Sequence, residues 1–139
     1  MLHAALIVAL AINGKTPCNN EFLQESWALL ATARYGHSPY EQAAWAVADA
    51  EGRVTFVRWK FNHEAWEAKF RGVIPANAVA LVHTHPNFRP MPSDDDSMTA
   101  QRLRMPVYVL TRKALTRTNG SRVEYVALGD WNPERCARR

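Results

Sequence analysis

Two histidines one residue apart, His83 and His85, follow directly on the continuous apolar run at residues 78–82. Side chains alternate along an extended backbone, so both imidazoles project to the same side and can chelate one ion. Seven residues separate His85 from Ser93, and two more separate Ser93 from Asp96. Ser93 is expected to cap a helix, which puts Asp96 in the first turn with a carboxylate able to reach the same place. Two neutral imidazoles, one carboxylate and a water fill the four positions of a zinc site that keeps one position open for chemistry. Asp94 and Asp95 compete for the ligand position. Helix residues three apart share a face, which groups Asp96 with Ser93 and leaves the other two as complements to the helix dipole or as supports for the ligands. Thr84 points away from the histidines and is expected to be a buried strand residue.

These groups need a frame that brings a strand end and a helix start together. The run at 78–82 suits a central strand covered on both faces. Pro86, Pro90 and Pro92 force a loop behind it, and the helix from Ser93 is expected to run to about Arg104. Upstream, Asn19 or Asn20 can cap a helix to about Tyr35, with Phe22, Trp27 and Leu30 at helical spacing and Gly36 as its stop. Residues 41–50 and 53–61 read as a β-hairpin through Glu51-Gly52. Asn62 can cap a short amphipathic helix through Arg71, with Trp66 and Phe70 on one face. Residues 106–111 and 122–128 read as strands joined through the turn dipeptide Asn119-Gly120. The element order is mixed α and β around one sheet, an α+β class without internal repeat. Trp45, Trp59 and Trp66 fall at core spacing, whereas Trp131, beside the basic tail, is more open to a binding role.

A chain of 139 residues holds one domain of ordinary size, which excludes a two-domain enzyme. With 47% hydrophobic and 22% charged residues, it is neither disordered nor fibrous in composition. Residues 2–12 form an apolar run too short to span a bilayer, readable as a signal-peptide core or as a buried first element. The domain is expected over residues 18–131, between this N-terminal segment (1–17) and a basic tail (132–139). Cys18 and Cys136 fit either one bridge between the chain ends or two unpaired small hydrophobes. The net charge of +4 owes much to Arg135, Arg138 and Arg139, and falls short of a nucleic-acid footprint. His37 and His63 read as surface or capping residues.

The arrangement His83, His85, Ser93, Asp96 resembles the motif His-x-His-x7-Ser-x2-Asp of the JAMM or MPN-type (JAB domain) zinc metallopeptidases, in a compact prokaryotic form. The likeness covers most of the chain from the first helix to about Leu128, and its second half is the more specific. It implies a curved mixed sheet flanked by helices, the cytidine-deaminase-like MPN/JAB type. It implies Zn2+ on His83, His85 and Asp96, with Ser93 hydrogen-bonding the oxyanion. The family also places a glutamate upstream, and six precede His83: Glu21, Glu25, Glu41, Glu51, Glu64 and Glu67. Glu41 fits best, behind the Ser38-Pro39 break and at the start of the first hairpin strand, although Ala44 stands where the family often has glycine. Such a site cuts an amide bond: zinc acidifies water, Glu41 relays its proton to the leaving amine, and each oxyanion donor contributes about 2.7–4 kcal/mol. The substrates implied are peptides or the tails of ubiquitin-like proteins, with cell-wall or phage-tail-type peptides as the alternative. A metal-free binding module of the same fold and a DNA-linked role are the rivals from other classes. The compartment, cytoplasmic or secreted, stays open.

Overall fold

The structure is a computed structural model that describes residues 20–61 and 68–134. Helix α1 (Glu21–Thr32) starts where expected, with the Asn20 side chain accepting from the Leu23 N–H. It ends earlier than Tyr35. Arg34 and Tyr35 turn to positive φ, 53° and 54°, and Gly36 follows at 83°, so a short 3-10 turn replaces the last helical turn. Gly36 is required there twice over, by its left-handed backbone and because a Cβ would lie 2.1 Å from Asn87 Oδ1.

Among the described residues six strands form one sheet: β1 (Ala43–Ala48), β2 (Val54–Arg58), β3 (Ala78–Thr84), β4 (Val107–Leu110), β5 (Ala114–Thr118) and β6 (Val123–Leu128), in the order β2-β1-β3-β4-β5-β6. All neighbours are antiparallel except β3 and β4, which the crossover helix α2 (Asp94–Leu103) links in parallel. The sheet is thus mixed and the fold α+β, as the sequence implies. The hairpin expected from 41–61 is β1 and β2, trimmed at both ends.

Two differences concern the C-terminal half and the segment before β3. Residues 106–111 and 122–128 are not partners of one another. Strand β5 lies between β4 and β6, and Asn119-Gly120 joins β5 to β6. β5 escapes an apolar pattern because Thr116 and Thr118 are buried polar residues; the Thr116 hydroxyl donates to Pro90 O, and that of Thr118 pairs with Ser97. The helix expected over 62–71 falls mostly outside the described residues, and its described end, 68–71, is not helical. Trp66, His63, the apolar segment 1–17, most of the basic tail and the Cys18/Cys136 pair also lie outside them.

Alternation divides the core between the two sheet faces. Ala44, Ala46, Ala80, Val82, Tyr108 and Leu110 meet Phe22, Trp27, Leu29 and Leu30 of α1, the small alanines admitting the bulky helix residues. Trp45, Val47, Leu81 and Val107 face the other way and meet Ala100 of α2. Trp131 is part of the first layer rather than a binding residue: it is 4% exposed, stacks edge-on to Trp27 and donates its Nε1–H to Thr111 O. A tryptophan near the chain end can still close a core when its N–H finds a carbonyl.

Candidate metal centre

β3 delivers both histidines to the α2 face. Ala43 pairs with His83 and Trp45 with Leu81 across the β1/β3 ladder, so these side chains share that face. Thr84 points to the α1 side, 1% exposed, as the alternation demands. Its hydroxyl accepts from the Gln42 N–H at 2.9 Å while its own N–H donates to Gln42 O at 2.9 Å. This two-way clamp fixes the chain beside Glu41, two residues before β1.

Glu41 reaches both imidazoles, with Oε2 3.2 Å from His83 Nδ1 and Oε1 3.8 Å from His85 Nε2. Glu41, His83 and His85 are all buried, and each offers a ligand atom within 4.8 Å of the others. This group can hold a metal ion. Of the six upstream glutamates, Glu21 instead accepts from the Val54 N–H and Glu51 sits in a surface turn, while Glu64 and Glu67 lie outside the described residues.

Asp96 arrives from the other side. Ser93 caps α2 in a capping box, its Oγ accepting from the Asp96 N–H at 3.1 Å while Asp96 Oδ2 accepts from the Ser93 N–H at 2.8 Å. Asp96 Oδ1 then lies 2.8 Å from His83 Nε2 and Oδ2 lies 3.5 Å from His85 Nε2. Asp94 and Asp95 are exposed on the same turn, as helix geometry requires. His37 is exposed and is not among the residues around these groups.

The donor set fits a divalent cation. His85 Nδ1 lies 2.9 Å from the carbonyl of Arg89, which only accepts, so the ring hydrogen is on Nδ1 and the Nε2 lone pair faces the site. Despite its short distance to Asp96, His83 Nε2 is buried without an aligned hydrogen-bond partner among the described residues. A ring nitrogen crowded by a carboxylate yet not hydrogen-bonded to it suits a pair of ligands converging on one ion. Burial opposes a charge on His83, but the Asp96 carboxylate, and then that of Glu41, outweigh it and raise the ring to about 10. Burial likewise opposes charge on Asp96, but His83 beside it holds its carboxyl well below the usual range.

A cleft of about 450 Å³ opens over these groups. Ser93 lines it, and so do Trp45, Trp59, Phe70, Arg89 and Arg102, whose role sequence reasoning missed. The signal was available in the alternation that places Ala43 and Trp45 on one face of a strand.

An α+β domain carrying a buried histidine and carboxylate centre that lines a cleft defines the class. The chain belongs to the prokaryotic homologues of the JAB domain, which it matches over residues 23–125, from α1 into β6. No curated protein and no solved structure matches it. Among the described residues no helix is long and apolar enough to cross a membrane.

Proposed function

We propose that the protein is a zinc metallopeptidase or isopeptidase, hydrolysing an amide bond in a peptide or in the tail of a ubiquitin-like protein. The observation that carries this reading is the convergence of Glu41, His83, His85 and Asp96 on the lining of an accessible cleft. His83, His85 and Asp96 hold the ion. Bound there, zinc supplies a Lewis acid for the amide carbonyl and acidifies water toward neutral pH.

Asp96 is pinned by the Ser93 N–H at the start of α2, where the helix dipole favours its charge. It therefore serves as a fixed anion rather than as a proton carrier. Glu41 takes the proton from the attacking water on a carboxylate oxygen and returns it to the leaving amine. The Ser93 Oγ is an acceptor within the capping box, which leaves its O–H hydrogen to donate to the carbonyl oxygen as negative charge builds there.

Zinc content and cleavage of a peptide panel, compared between wild type and Glu41→Gln, test this. About one zinc per chain is expected in both proteins, with cleavage lowered about 10²- to 10⁴-fold in the variant. Unchanged cleavage removes Glu41 from its role. A wild type that retains no zinc and cuts nothing is a binding module of the same fold.

A further inference from the structure

Beside the ligands, the same sheet face carries three aromatic rings. Trp45 lies on β1, Trp59 just beyond β2 and Phe70 on the chain leading toward β3. The rings touch pairwise, with centroids 5.2 Å apart for Trp45 and Trp59, 5.2 Å for Trp45 and Phe70, and 5.0 Å for Trp59 and Phe70. Trp45 is core, but Trp59 and Phe70 are only partly buried and line the cleft. Ala43 stands across from His83 on one side, and on the other its carbonyl accepts from the Trp59 N–H at 2.8 Å. Its methyl group leaves the floor open between the ligands and the rings. Leu81, which pairs with Trp45, precedes His83 by two strand residues, so the apolar wall begins about 7 Å from the ligands. That is the distance between successive side chains on one side of an extended peptide.

We propose that this wall is a specificity subsite for one side chain of the substrate, an aromatic or large aliphatic residue of a peptide next to the bond that is cut. The proposal rests on the amide-hydrolase reading of the metal centre. The character of the wall selects this occupant. Apolar rings facing a cleft gain most from covering by an apolar side chain, which a Gly-rich tail does not supply. Arg89 and Arg102 also line the cleft, both exposed, which makes an acidic side chain the competing occupant.

The test uses short capped alanine peptides carrying a single Phe, Leu, Gly or Glu at one central position. Binding to full-length, zinc-loaded Glu41→Gln is read by calorimetry, so it does not depend on turnover, and cleavage by wild type is measured separately. The Phe and Leu peptides should bind about tenfold or more tightly than the Gly peptide, the value of one buried apolar side chain. Adding Phe70→Ala or Trp59→Ala should shrink that ratio to about threefold or less, with circular dichroism confirming the fold. If one of these variants fails to fold, the other and the ratio in the parent protein still decide. Equal binding of all four peptides, best binding of the Glu peptide, or no binding at millimolar concentration overturns the subsite. Phe-selective binding without cleavage by wild type keeps the subsite and sinks the hydrolase reading instead.

Discussion

The His83 imidazole lies between two carboxylates, 3.2 Å from that of Glu41 and 2.8 Å from that of Asp96. Its folded value of about 10 stands above the ordinary value of 6.5, so the metal-free folded chain keeps a proton that the unfolded chain gives up between those limits. The stabilisation is complete below about 6.5 and is lost as the pH rises through about 10. In the presence of chelator, the urea midpoint should therefore fall steadily from neutral pH toward pH 10; a flat profile contradicts the assignment. A ligated imidazole must be neutral, so loading with zinc at pH 8 should release about one proton, measurable in buffers of different ionisation enthalpy. Ser93 can be dissected in the same spirit, because its oxygen caps α2 while its hydrogen is free for chemistry. Ser93→Ala should cost about 1 kcal/mol of stability as well as turnover. Ser93→Asp restores a capping oxygen but brings no donor hydrogen. Recovered stability with turnover still down about 10²- to 10³-fold marks the hydroxyl as catalytic, whereas recovery of both reduces it to a cap. The types and spacing of these residues were legible in the sequence because strand alternation and the first helical turn are local geometry.

At the level of elements, the site depends on how β3 holds the chain entering β1. Thr84, between the two histidines, accepts from the Gln42 N–H and donates back to its carbonyl, which sets Glu41 against His83. Thr84→Val keeps the shape and leaves that amide without its acceptor. A loss of about 1–3 kcal/mol is expected in urea unfolding. Turnover should fall as well, since Glu41 adjoins the freed amide; wild-type turnover in a destabilised variant would show that the clamp serves stability alone. The sequence marked Thr84 as buried but not what its hydroxyl does, because its partner lies 42 residues away. β5 was hidden for a related reason. Its inward Thr116 and Thr118 break the apolar rhythm, and only the surrounding loop and helix supply the acceptor and hydroxyl that make their burial tolerable.

For the whole molecule, one sheet separates a structural layer from a chemical one. Phe22 of α1 is fully buried on the far side, with ring centroids 5.6 Å from Phe56 and 4.7 Å from Tyr108. Phe22→Ala should cost about 3–5 kcal/mol in chemical denaturation while leaving the zinc content of the folded fraction unchanged. A variant that loses zinc in step with stability would show the two layers to be coupled. The division also explains why the core was easier to read than the cleft: Phe22, Trp27 and Leu30 advertise one helix face by spacing alone, and Trp131 was misjudged because its carbonyl partner, Thr111, sits in the turn between β4 and β5. What the sequence determined by itself was a mixed α+β domain with His83, His85, Ser93 and Asp96 at a strand end and a helix start, since backbone geometry within one or two consecutive elements fixes where those side chains go. The likeness to the family singled out Glu41 among six glutamates, but tertiary structure alone decided how it meets the histidines and that Trp45, Trp59 and Phe70 flank them. Strand register is chosen by burial across the entire sheet, and no local spacing encodes it.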